Sequence, residues 1–209
     1  MIGTGTIARH NVKMCSRFEI DVPWENIADY FGLGDPPDDY FYGEIRPTNK
    51  ALIIDSGGTP RSAQWGIPAP WDGKPLINAR SETLEKKQTF QPLLENRCIV
   101  PASAYFEWRK YGKKKLKNRI VLKDKSLMVF AGLLSESHFT IITCEPSSSI
   151  AHIHNRMPVI LPGLAAKEWC NSSHPFKEVA PLLKPFNGDH LTVTEDMPKQ
   201  ADLFGSGFN

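Results

Sequence analysis

From Cys98 to Leu161 the chain is a succession of short apolar runs, and this limits the folds open to it more than any other feature. Cys98-Ile99-Val100-Pro101 and Ala104-Tyr105-Phe106-Glu107-Trp108 flank a short turn. Arg119 to Leu122 and Leu127 to Leu134 are joined by the basic linker Lys123-Asp124-Lys125, and Phe139 to Thr143 and Val159 to Leu161 follow. Runs of this length bounded by turn residues read as strands. Strands at irregular spacing with few helices between them predict an α+β single domain. Its core is expected to be a folded β-sheet or partly closed barrel with peripheral helices.

The first half supplies the periphery. Val22 to Leu33 carries Val22, Ile27, Tyr30 and Phe31 on one helical face, and Gly32 and Gly34 end it. Gly34 to Tyr40 is a turn-rich loop, and Ala51 to Asp55 is a strand closed by Ser56-Gly57-Gly58. Pro68, Pro70 and Pro75 stiffen an irregular loop from Trp65 to Pro75 with Trp71 at its tip. Arg80 to Lys87, Leu164 to Cys170 and Val179 to Leu183 are helix-prone. The first 13 residues are rich in Gly and Thr and lack a period, so the domain is expected to run over 14–209 behind an N-terminal extension, 1–13.

Several function classes are excluded or made improbable. The longest apolar run has eight residues, against roughly 20 for a membrane span. No secretory h-region precedes Met14, which makes a reducing compartment such as the cytoplasm the default. Cys15, Cys98, Cys144 and Cys170 form no CxxC pair, so neither a zinc site nor a disulfide framework is expected. The net charge of +2 does not announce a nucleic-acid binder, and such a role needs a local patch. One is present: Arg109, Lys110, Lys113, Lys114, Lys115, Lys117 and Arg119 place seven cations in 11 residues around Gly112. A run like this reads as a hairpin tip. It is either a solvated face or a contact for DNA backbone whose binding weakens steeply with salt.

Four islands carry the chemistry: Met14-Cys15-Ser16-Arg17-Phe18, Leu76-Ile77-Asn78-Ala79-Arg80-Ser81-Glu82-Thr83, Tyr105-Phe106-Glu107-Trp108, and Ile153-His154-Asn155-Arg156-Met157-Pro158. In this order and spacing they resemble the SRAP (SOS-response-associated peptidase) family over residues 14 to about 205. The resemblance implies a protein that binds single-stranded DNA containing an abasic site and links to it covalently through a cysteine at the mature N-terminus, here Cys15. It implies catalytic roles for Asn78, Glu107 and His154. It implies DNA contacts for Arg17, Arg80, Arg156, Trp71 and Trp108, and a place near the site for Pro47. No cofactor or metal is implied. A nucleoid-associated or, in a eukaryote, nuclear setting follows, with replication machinery as a possible partner and a monomer as the expected state.

The residue types suit that chemistry. An abasic sugar equilibrates with an open-chain aldehyde. A terminal cysteine offers an amine and a thiol two carbons apart, so a Schiff base can close to a five-membered thiazolidine. An unperturbed α-amine titrates at about 7.7–8.0, leaving a useful neutral fraction near pH 7, whereas a lysine would need burial to match it. A Glu and a His can shuttle the protons, the Glu especially if Trp108 raises its pKa. Asn78 can orient the amine or the sugar, and Arg80 and Arg156 can clamp phosphates. Arg156 could instead be a structural ion pair. His152 and His154 would share a face on a strand, but no third ligand has compatible spacing.

Two departures from the family pattern stand out. Ser16 replaces the usual Gly, and Ser adopts positive φ less freely. The extension 1–13 leaves the Cys15 nitrogen an amide as long as Met14 is attached. Met14 is the initiator, or the extension is a cloning artefact, or it is a leader removed after Met14, by Cys15 itself in a self-cleavage. Two other functions fit the same residues. One is a thiol autoprocessing peptidase using Cys15, His154 and Glu107. The other is a noncatalytic single-stranded-DNA-binding module. β-Elimination from the Schiff base would add an abasic-site lyase activity.

Overall fold

The computed structural model describes residues 15–196. In chain order the strands and helices are β1 (Phe18–Ile20), α1 (Trp24–Phe31), β2 (Gly43–Ile45), β3 (Lys50–Asp55), β4 (Pro60–Trp65), β5 (Ile67–Pro68), β6 (Pro75–Leu76), β7 (Asn78–Arg80), β8 (Arg97–Ala102), β9 (Ala104–Tyr111), β10 (Lys114–Leu122), β11 (Met128–Ser135), β12 (His138–Cys144), β13 (Met157–Pro158), α2 (Leu164–Cys170), α3 (Phe176–Val179) and β14 (Leu191–Glu195). The expected α+β fold is what forms. The barrel is fully closed: β11, β8, β3, β4 and β12 pair in turn, and β12 pairs back onto β11. The closing β4–β12 pair is parallel and the others are antiparallel. Closure removes the free edges that an open sheet would expose.

The apolar runs form the barrel because both faces of these strands are covered. All six residues of β8 are buried, as are seven of the eight in β11. Gly132 marks a close approach between barrel strands. A Cβ there would lie 2.8 Å from Cys98 Sγ and 3.1 Å from the Thr140 carbonyl oxygen, so a larger residue would push β8 and β12 off β11.

A second, five-stranded sheet in the order β14-β10-β9-β1-β2 packs on the barrel. Phe18 and Tyr105 face each other across β1 and β9. Phe18 meets Trp65 edge-on at 5.0 Å between ring centroids, and both Phe18 and Tyr105 meet Phe130 at 6.1 Å. The β9–β10 hairpin turns at Gly112, whose φ of 57° suits the first position of a two-residue turn.

Helix α1 ends at Gly32, inside the span read from the sequence. One expectation is corrected: the stretch Trp65 to Pro75 is not wholly irregular, because β5 and β6 pair within it. The helix-prone stretch Arg80 to Lys87 winds as a 3-10 helix over Ser81–Lys86. His152 and His154 lie outside any strand, in the loop between β12 and β13. Ser16 is absent from the non-glycine residues with positive φ, so Ser is no obstacle at that position. The extension 1–13, and Met14 with it, lies outside the described residues. No helix among the described residues is long and apolar enough to cross a membrane.

Candidate active site

Four of the sequence-derived residues converge where β1 enters, between the barrel and the second sheet. Cys15 is buried just ahead of β1, and Glu107 is buried in the middle of β9. The Cys15 backbone N–H donates to Glu107 Oε1 at 2.7 Å. Asn78 opens β7 and donates from Nδ2 to the Cys15 carbonyl oxygen at 3.1 Å. His154 Nε2 stands 3.9 Å from Glu107 Oε2. That gap is too long for a hydrogen bond and fits a bridging proton carrier.

Burial sets the electrostatics. Desolvation pushes the Glu107 carboxyl from its ordinary 4.5 up to about 8, against the opposing pull of the Cys15 and Trp108 backbone N–H groups. Glu107 is therefore largely protonated near neutrality and can both give and take a proton. Burial also lowers the His154 pKa, and Lys115 lowers it further, so the imidazole is neutral at pH 7. Its Nδ1 accepts from the Arg156 backbone N–H at 3.2 Å, which places the ring proton on Nε2, facing Glu107. Burial first, then the Glu107 charge, pushes the Cys15 thiol well above its ordinary range. The sulfur stays protonated until a base takes its proton.

Arg156 is buried. Nη1 and Nη2 donate to the two Glu82 carboxylate oxygens at 2.7 and 2.8 Å, and Nη2 also reaches the Thr143 carbonyl at 2.7 Å. Its donors thus tie the end of β12 to the 3-10 turn after β7, and its backbone orients His154. Glu82 belongs to an island the sequence singled out, but only the fold shows it as the Arg156 partner. Arg17 lies with its guanidinium 5.1 Å over the Trp108 ring and pairs with Glu44 at 3.0 Å. Arg80 is exposed at the end of β7, and Trp71 is 67% exposed at the turn between β5 and β6. Pro47 is half-buried in the turn after β2, where Thr48 has a φ of 72° and donates its N–H to the Trp65 carbonyl at 2.8 Å. In the basic run, Arg109 pairs with Glu195, Lys117 with Glu44 and Arg119 with Glu19. Among the described residues no group of three or more His, Cys, Asp or Glu side chains could hold a metal ion.

A closed five-stranded barrel backed by a second sheet, with a cysteine and a buried glutamate between them, defines a recognisable class of α+β protein. The same fold occurs in a crystal structure of a protein from Bacteroides thetaiotaomicron, at a TM-score of 0.74 and 26% identity over 92% of this chain and 95% of that one. The family model described as SOS response associated peptidase (SRAP) matches residues 14–197, and the chain belongs to that family. It is 36% identical to the abasic site processing protein YoaM of Bacillus subtilis, over 85% of this chain and 88% of that protein. It is 34% identical to the abasic site processing protein YedK of Escherichia coli, over 56% of this chain and 58% of that protein.

Proposed function

We propose that this protein captures abasic sites in single-stranded DNA as a covalent adduct on Cys15, shielding the site during the response to DNA damage. The observation that carries the reading is the 2.7 Å contact between the Cys15 nitrogen and Glu107, a carboxyl with a pKa of about 8. Once Met14 is removed, that nitrogen becomes an α-amine facing a group that can take and return its proton. The relatives named abasic site processing proteins support the substrate.

The steps balance as one condensation. The neutral amine of Cys15 adds to the C1′ aldehyde to give a carbinolamine. Glu107 protonates the departing hydroxyl and water leaves, forming the Schiff base. The Cys15 sulfur then adds to the imine carbon while its proton passes to the Glu107–His154 pair and a proton is returned to nitrogen. The product is a thiazolidine, and the net loss is one water. Asn78 holds the Cys15 carbonyl and so fixes the direction of the amine. A thiolate peptidase fits less well, since burial holds the thiol protonated.

Intact mass tests the reading. Forms starting at Met1 and at Met14 are incubated with single-stranded DNA bearing one abasic site. The Met14 form is expected to lose its Met and gain the DNA mass less one water, in a heat-stable adduct absent from Cys15→Ala. DNA affinity without any adduct in either form would reduce the protein to a binding module.

A further inference from the structure

We infer that Glu44 occupies the position of a DNA phosphate and sets how poorly the protein holds undamaged single strands. This rests on the single-stranded-DNA reading above and concerns the outward face of the second sheet.

Three cations from three separate segments converge on the Glu44 carboxylate. Arg17, ahead of β1, places Nη1 3.0 Å from Oε1. Arg46, in the turn after β2, places Nη2 3.2 Å from the same oxygen. Lys117 on β10 places Nζ 2.8 Å from Oε2. Two of the three are also seated on aromatic rings. The Arg17 guanidinium lies over Trp108 at 5.1 Å, and the Lys117 ammonium over Phe106 at 4.1 Å. Arg17 Nε is buried with no hydrogen-bond partner among the described residues. Across the β1–β2 register Glu44 faces Glu19, which is itself neutralised by Arg119 at 2.8 Å.

One carboxylate does not need three cations for neutrality. Cations held over rings, with donors converging on two oxygens, match the demands of a phosphodiester, whose two non-bridging oxygens share one negative charge as a carboxylate's do. Arg17 is two residues from Cys15 in the chain, so the segment that carries the reactive nitrogen also carries one cation of the cluster. While Glu44 fills it, a strand gains little by placing a phosphate there, because it meets a like charge. Retention then depends on the aldehyde reacting. Glu44 therefore acts as a specificity residue: it weakens binding to intact strands without touching the covalent step.

The test measures affinity for an intact single-stranded oligonucleotide by fluorescence anisotropy across a salt series. Glu44→Gln keeps the shape and removes the charge, and Glu44→Ala guards against an effect peculiar to the amide. Glu178→Gln on α3, outside the second sheet, makes the same change in net charge. Both Glu44 variants are expected to bind about fivefold tighter at low salt, the size of one like-charge contact at a water-facing surface, with a steeper salt dependence. Glu178→Gln is expected to match the unaltered protein. Equal or weaker binding by the Glu44 variants, or an equal gain in Glu178→Gln, overturns the inference. Failure of the unaltered protein to crosslink abasic DNA overturns the capture reading instead and leaves the affinity comparison to be judged by itself.

Discussion

The Cys15 backbone nitrogen and Glu107 Oε1 are 2.7 Å apart although 92 residues separate them in the chain. The contact joins the segment just ahead of β1 to β9, β1's neighbour in the second sheet, and the Phe106 N–H donating to the Arg17 carbonyl continues that pairing towards Cys15. Replacing Glu107 by Gln keeps an acceptor for the N–H but removes the proton exchange. Crosslinking is expected to slow about 10²- to 10⁴-fold, with DNA affinity within a few-fold. Single-turnover gel assays of both quantities check this, and a large affinity loss would make Glu107 a structural residue.

The same substitution is expected to stabilise the fold in a pH-dependent way. The folded state holds the Glu107 proton up to about pH 8, whereas the unfolded chain releases it near 4.5. The stability of the unaltered protein is therefore fully present below 4.5 and declines as pH rises to about 8. The advantage of Glu107→Gln should grow over that window, towards an upper value on the order of 4–5 kcal/mol. Urea unfolding at pH 5 and pH 8.5 measures it. A constant difference across the two would mean that Glu107 is ionised in the folded protein.

His154 contributes with the opposite sense. Its pKa is lowered by burial, so below its ordinary 6.5 the unfolded chain binds a proton that the folded chain refuses. Stability is lost as pH falls through 6.5, and His154→Gln is expected to remove that loss. It should also slow formation and reversal of the adduct, both of which move protons through the pair. Unchanged kinetics from pH 5.5 to 8 would remove His154 from the site.

Most strands of the barrel were legible in the sequence because both their faces are covered, which leaves unbroken apolar runs such as Leu127 to Leu134. Strands with one wet face were not. Pro60–Trp65 is mostly polar yet closes the barrel, and only Ala63 and Trp65 of its residues are buried. Lys114–Leu122 begins five residues before its apolar part, because the cations Lys114, Lys115 and Lys117 extend the hairpin with Asn118. The spacing of Cys15, Asn78, Glu107 and His154 was readable as islands, and the fold brings the four together. The ion partners were not readable. Glu82 lies 74 residues from Arg156 and Glu44 lies 73 from Lys117, and nothing local to either carboxylate marks it as a partner.

Arg156 has a consequence of its own. Its guanidinium is buried, with Nη1 and Nη2 satisfied by Glu82 and the Thr143 carbonyl, so Arg156→Ala takes those donors from a carbonyl and a half-exposed carboxylate. A loss of about 3 kcal/mol in stability is expected, together with slower crosslinking as the His154 turn loses its anchor. Glu82→Gln, whose side chain is 49% exposed, should lose about 1 kcal/mol and retain most of the rate. Chemical denaturation of both variants separates the two. Comparable losses would mean that Glu82, rather than the backbone contact, holds the turn in place.

Arg97 gives the contrasting case, a buried charge remote from the chemistry. It lies under the Trp169 ring at 5.7 Å, donates through Nε to the Trp169 carbonyl at 2.7 Å, and donates through Nη2 to the Asn171 and His174 carbonyls at 2.8 and 2.6 Å. These are the carbonyls at the end of α2 and in the turn that follows, where a cation also meets the favourable end of the helix dipole. Arg97→Met fills the space but takes the donors from the buried Trp169 carbonyl and the part-buried Asn171 and His174 carbonyls, so about 3–5 kcal/mol of stability should be lost. Because the hydrogen bonds and ring contact of Arg97 go to Leu94, Glu95, Trp169, Asn171 and His174 and to none of Cys15, Asn78, Glu107 or His154, the folded fraction should crosslink at the unaltered rate. Thermal unfolding followed by a crosslinking assay well below the new midpoint tests both halves, and a slowed reaction in fully folded Arg97→Met would show that the α2 side of the barrel is coupled to Cys15.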